Sequence, residues 1–178
     1  KVSGRPVKAI AGYSFGSKED RMLVYTDVEM IYRRSFRAAY YFTSVGSNEL
    51  QPLSDRFSKQ QIATLSPDGS RVAFVYENNI YVKNLLDGTE TQVTRDGEKN
   101  KILNGITDWV YEEEFAQTRL MAWSPDSRAL AFVRTDESGV QEYPMQMFCS
   151  SSGEYDDPQE VYPRYAGFKY PVAGADNS

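Results

Sequence analysis

Short apolar runs broken by turn residues set the rhythm of this chain. Met22, Leu23, Val24 and Tyr25 stand together after the polar stretch Ser17 to Asp20, and a similar run, Val72 to Tyr76, follows Ser66-Pro67-Asp68-Gly69-Ser70-Arg71. Contiguous apolar runs of this length, bounded by Gly, Pro, Ser and Asp, suit buried strands better than amphipathic helices.

The runs repeat. SPDGSRVAFV, from Ser66 to Val75, returns as SPDSRALAFV from Ser124 to Val133, 58 residues on. Each copy reads as a turn feeding a strand: Pro67 or Pro125 fixes φ, and Asp68 or Asp126 can bond the backbone ahead. YFTSVGSNELQPLS (Tyr41 to Ser54) lines up with YVKNLLDGTETQVT (Tyr81 to Thr94), 40 residues on, each a strand, a polar turn and a strand returning through Leu53 or Val93. RMLVYT (Arg21 to Thr26) answers RVAFVY (Arg71 to Tyr76), 50 residues on, which puts GYSFGSKED where the SPDGS turn of the next repeat lies.

Repeats of short strands at this spacing are the signature of β-propeller blades. The expected fold is all-β, a partial β-propeller of two to three four-stranded blades with a short acidic helix insertion. Blade one is expected over about 10–55, blade two over about 60–95, an insertion over about 104–118 and a third blade from about 120. The unequal offsets predict insertions, one around TDVEMIYRRSF and one around GITDWVYEEEFAQT, on the face that such scaffolds use for work. After Phe148 the pattern fails, and Ser, Gly, Asp and the prolines at 158, 163 and 171 predict an irregular surface segment. Incomplete propellers leave open sheet edges, so association into a homo-oligomer is expected.

Composition narrows the chemistry. Hydrophobic residues make up 40% of the 178, with thirteen Tyr and nine Phe, enough for a real core and more suited to strands than to helices. A net charge of -5 without a basic cluster argues against nucleic acid as a partner. Cys149 is the only cysteine and histidine is absent, which removes an intrachain disulfide and the usual zinc ligand sets, so neither metal nor cofactor is expected. No stretch approaches a membrane-spanning helix in length. The start at Lys1, without an initiator Met or a targeting segment, predicts processing or trimming.

Three stretches offer chemistry. GYSFG (Gly12 to Gly16) matches the G-x-S-x-G nucleophile elbow, but Ser14 has no histidine to take its proton and is followed by a predicted strand instead of a helix. Its expected role is therefore a turn or strand residue. ITDWVYEEEF (Ile106 to Phe115) offers Asp108 as an N-cap and places Glu112, Glu113 and Glu114 in a short helix. Such a run can be a solvated acidic face or a cation site, where an ammonium relieves the mutual repulsion of the carboxylates. Neighbouring helix positions diverge, so convergence on one amine needs a helix end or a distorted turn. YRRSFR supplies Arg33, with Arg34 and Arg37 as rivals, as a guanidinium able to hold a carbonyl or carboxylate.

GITDWVYEEEF, MAWSPDSRALAFVRTDESGVQEYPMQMF and YPRYAGFKYPVAGADNS together resemble the N-terminal propeller of the dipeptidyl peptidase IV family, in the prolyl oligopeptidase superfamily. The resemblance extends over most of the chain and implies that residues 1–178 are a fragment of that N-terminal domain. It further implies a serine exopeptidase that removes dipeptides after proline or alanine, with its catalytic residues in a hydrolase domain beyond Ser178. Matched to the family's D-W-x-Y-E-E-E run, Glu113 and Glu114 are expected to clamp the substrate's α-ammonium, and Arg33 to hold its carbonyl. The implied partner is a peptide with a free N-terminus, the implied location extracytoplasmic, and the fragment alone is expected to be inactive. A non-enzymatic propeller-type module that binds peptides or proteins is the other function considered.

Overall fold

The first repeat folds into a four-stranded antiparallel sheet of β1 (Gly12–Phe15), β2 (Arg21–Met30), β3 (Phe36–Ser44) and β4 (Gln51–Pro52), in that order. The second forms another such sheet from β5 (Gln61–Leu65), β6 (Arg71–Tyr76), β7 (Asn79–Asn84) and β8 (Glu90–Gln92). There follow β9 (Ile102–Asn104), α1 (Trp109–Phe115), β10 (Met121–Trp123), β11 (Leu130–Phe132), β12 (Arg134–Asp136), β13 (Glu142–Met147) and β14 (Arg164–Lys169). This computed structural model describes residues 7, 9–148 and 162–178. The fold is an all-β partial propeller with one short helix, and its sheets do not close into a barrel among the described residues.

The repeats superpose bond for bond. Gly16 N donates to Arg21 O, Ser66 N to Arg71 O and Ser124 N to Ala129 O, at 2.9, 2.8 and 2.8 Å. Within the same turns Glu19 N, Gly69 N and Ser127 N reach back to Gly16 O, Ser66 O and Ser124 O, and all three donors have φ near +60° to +75°. GYSFGSKED thus contains the first copy of the SPDGS turn, and Ser14 lies in β1, exposed and paired with Leu23. Further on, Leu53 N donates to Tyr40 O as Val93 N does to Ile80 O.

Register also locates the first insertion. Tyr25 pairs with Tyr40 and Thr26 with Ala39, as Val75 pairs with Ile80 and Tyr76 with Asn79. Between the equivalent end pairs the second sheet has only Glu77 and Asn78, a two-residue turn with positive φ at both positions, whereas the first has residues 27–38. That hairpin is ten residues longer, which accounts for the drop in offset from 50 to 40. The extra length carries β2 and β3 past the sheet, with a register shift between Thr26 and Glu29, and puts Arg33 and Arg34 at its tip.

Alternation along β6 builds the core. Val72 and Phe74 pack with Leu23, Tyr40, Phe42 and Leu53 of the first sheet, while Ala73 and Val75 face Leu103, Ile106 and Met121. Being buried on both faces, the strand reads as a continuous apolar run. Phe57 stacks on Tyr76 at 4.0 Å between centroids and meets Phe74 edge-on, closing the first cluster. Phe74, the fully buried ring of the three, contributes about 2 to 3 kcal/mol through lost water contact.

The third repeat gives a two-stranded hairpin, β10 with β11, in the register of β5 and β6. Phe132, the counterpart of fully buried Phe74, is 38% exposed. The next strand, β12, pairs with β9 instead of extending this hairpin. Of the segment expected to be irregular, residues 149–161, including Cys149, lie outside the described residues. The rest corrects the expectation: Arg164–Lys169 form β14, antiparallel to β13. Pro163 and Pro171 flank this strand and do not interrupt it, so they cost the ladder no donor within its length. Among the described residues no helix is long and apolar enough to cross a membrane.

Candidate functional site

The two insertions meet. α1 starts where the sequence predicts: Asp108 is extended and its Oδ1 accepts from Tyr111 N at 2.8 Å, an N-cap that satisfies one orphan donor. Ala116 ends the helix in the left-handed region, φ 54°, after only seven residues. Trp109 packs on Tyr170 at 4.3 Å between centroids, which ties the helix to the segment after β14.

The three glutamates of α1 part company, since successive helix positions point in different directions. Glu112 is fully buried and accepts from Arg34 N at 2.6 Å and Ser35 N at 2.9 Å through Oε1. Glu113, 12% exposed at its side chain, stands 3.3 Å from Arg33 Nη1 through Oε2. Glu114 is exposed in the last turn, just before the Ala116 cap.

The arginines are likewise sorted. Arg33 is the one that reaches Glu113, and its side chain remains 70% exposed. Arg34 contributes its backbone to Glu112. Arg37 turns away along β3 and holds Glu29 at 2.6 Å, with Lys59 on the same carboxylate at 3.2 Å. The hydrogen bond from Arg37 leads the influences that hold the Glu29 carboxyl below its ordinary range, with Lys59 adding to it.

The sequence groups Glu112 with Glu113 and Glu114 in one acidic run, and the family resemblance assigns substrate contact to Glu113, Glu114 and Arg33 without giving Glu112 a separate part. Three identical side chains in a row carry no sign of which one faces inward, and the partners of Glu112 are backbone groups that any residue would supply.

Beneath the helix start lies a second charged group. Glu137, after β12, is buried near Asp108 and Lys169. Burial, reinforced by the Asp108 charge and partly offset by Lys169, pushes its carboxyl up to about 7. The Ser178 hydroxyl donates to Asp108 Oδ2, so the chain's last residue also docks at the cap. Beside the segment that follows α1, a recess of about 320 Å³ opens between Phe36 and Tyr40 of β3, Ile62 and Thr64 of β5, and Gln117 and Arg119. No group of three or more His, Cys, Asp or Glu side chains suited to a metal ion occurs among the described residues.

Comparison with known proteins agrees with this architecture. The chain is 41% identical over 186 aligned residues to a probable dipeptidyl-aminopeptidase B of Tuber melanosporum, covering 98% of this chain and 20% of that protein. A probable dipeptidyl-aminopeptidase B of Sordaria macrospora is 39% identical over 162 residues, covering 88% of this chain and 17% of the relative. In structure, the chain superposes on dipeptidyl peptidase 4 of Porphyromonas gingivalis with a TM-score of 0.86 and 48% identity, covering 99% of this chain and 24% of that one. It therefore spans about a quarter or less of the length of these relatives. Residues 16–178, which include the first four-stranded sheet but for β1, the whole of the second, the Arg33 tip and α1, match the family described as the dipeptidyl peptidase IV (DPP IV) N-terminal region, and the chain belongs to that family.

Proposed function

We propose that this chain is the substrate-reading part of a dipeptidyl peptidase that removes dipeptides, Xaa-Pro or Xaa-Ala, from free peptide N-termini. The observation that carries this reading is the approach of Arg33 to Glu113 across two insertions that the repeat scaffold does not need. A guanidinium and a carboxylate at 3.3 Å form a pair that a peptide N-terminus can replace partner by partner. The α-ammonium goes to Glu113 and Glu114, and the carbonyl of the first residue goes to Arg33.

These groups break no bond themselves. Cleavage falls to a serine of the hydrolase domain in the longer parent, a fixed distance from the clamp, and that distance sets the cut after the second residue. An acylated amine has no charge to offer, and it leaves carboxylates short of donors, so the site discriminates against blocked and internal peptides. In the full-length parent, Glu113→Gln and Glu114→Gln are expected to lower kcat/KM on an Xaa-Pro substrate by about 100-fold, as expected for a lost charge-assisted contact. Activity unchanged in both variants would sink this reading.

A further inference from the structure

We propose that Glu112 is a positioning residue, whose buried carboxylate sets where the Arg33 guanidinium stands against Glu113. The inference rests on the proposed reading of Arg33 and Glu113, and it gives the first glutamate of the run a task distinct from theirs.

The tip of the β2–β3 hairpin is met by α1 and by β14. The ladder between the strands ends at the Met30–Phe36 pair, and beyond it Ile31 N and Tyr32 N donate to Ser35 O. Tyr32 leans on Phe168 of β14 at 5.9 Å between centroids, which fixes one flank of the loop. On the other flank Glu112 Oε1 accepts the N–H groups of Arg34 and Ser35, the two residues that follow Arg33. Two charge-assisted bonds to successive backbone groups fix a loop's orientation as well as its distance.

The same geometry excludes Glu112 from the clamp. It is 0% exposed, Oε1 is already engaged, and Oε2 is enclosed without a hydrogen-bond partner among the described residues. Ser35 Oγ is also enclosed and unpartnered. A buried carboxylate with one unpaired oxygen is costly, and the fold keeps it where Arg33 must be aimed.

The test is made in the full-length parent with Glu112→Ala, Glu112→Gln and Glu112→Asp, with Glu113→Gln as reference. Glu112→Ala removes the acceptor, and kcat/KM on a free-N-terminus Xaa-Pro substrate is expected to fall on the order of 100-fold through misplacement of Arg33. Glu112→Gln keeps an acceptor oxygen without the charge and is expected to stay within about tenfold of the wild type, the difference between charged and neutral hydrogen bonds. Glu112→Asp keeps the charge but withdraws it by one methylene, and is expected to lose activity as Ala does. Labelling of the catalytic serine by a fluorophosphonate, which carries no ammonium, is expected to be equal in all variants. A wild-type-like Glu112→Ala or Glu112→Asp, or a Glu112→Gln as damaged as Glu113→Gln, overturns the positioning role. If Glu112→Ala fails to label, the Gln and Asp variants decide between the same two results. An unaffected Glu113→Gln overturns the clamp itself, whatever Glu112 does.

Discussion

Arg33 and Glu113 come from separate insertions in the repeat pattern and meet at 3.3 Å, with the arginine side chain 70% exposed and the glutamate side chain 12% exposed. An ion pair that open to water contributes about 0 to 1 kcal/mol to stability. The three arginines of YRRSFR are therefore expected to separate by assay. In the full-length parent, Arg33→Ala should lower kcat/KM at least tenfold with little change in Tm, because it removes the proposed contact to substrate together with an ion pair of small worth. Arg34→Ala leaves its backbone N–H in place and should be near neutral. Arg37→Ala should lower Tm while sparing kcat/KM, since it removes the partner of Glu29 in the sheet. A kcat/KM loss largest for Arg37→Ala would contradict the assignment.

Glu137 gives a pH dependence of definite sign. Its carboxyl stands at about 7 in the folded chain against an ordinary 4.5, so the folded state holds that proton more tightly than the unfolded one. The stabilisation is fully present below pH 4.5 and is lost as pH rises through about 7. Tm measured across that window should fall in the wild type relative to Glu137→Gln, with Asp108 and Lys169 unchanged. Parallel Tm curves for the two proteins would rule the shift out.

Gly97 is where the chain presses on the tight β6–β7 turn. A Cβ there would lie 2.3 Å from Asn78 O and 2.8 Å from Asn79 Cγ, and Gly97 N donates to Asn79 Oδ1 at 2.9 Å. Gly97→Ala should cost about 1 to 3 kcal/mol as the backbone shifts to relieve the overlap. Gly88→Ala, where nothing lies within 4 Å but φ is +75°, should cost about 1 kcal/mol from strain alone. Denaturant midpoints with unchanged m-values would measure both, and equal costs would contradict the packing argument.

Edge strands lead to a prediction about assembly. β1 and β4 border the first sheet, and β1 exposes Tyr13 and Phe15 along an edge that pairs with no other strand among the described residues. The 178-residue chain is proposed to associate with itself through such an edge. Light scattering should show a mass that rises with concentration and falls in Tyr13→Lys/Phe15→Lys; a monomer at every concentration would exclude it.

Much of this architecture was legible because each turn must satisfy the same backbone groups. Ser66, Pro67 and Asp68 recur at Ser124, Pro125 and Asp126, and Gly16 to Arg21 reproduces their hydrogen bonds with other side chains. The N-cap at Asp108 was legible for the same reason. What escaped depends on partners distant in sequence. The exchange of β12 onto β9 has no local signature, and β14 lay hidden between prolines that bracket it. Glu112 escaped because its bonds go to the backbone of Arg34 and Ser35, 78 and 77 residues earlier.

The central claim, that Glu113 and Glu114 read a charged N-terminus, is tested most directly by a selectivity ratio. kcat/KM is measured in the full-length parent for one Xaa-Pro substrate with its amine free and with the same amine acetylated. The wild type should prefer the free amine by at least about 1,000-fold, as expected when acetylation leaves two adjacent carboxylates without their cation. Glu113→Gln/Glu114→Gln should collapse that preference by slowing the free substrate alone. A preference that survives the double substitution intact would place recognition of the N-terminus elsewhere.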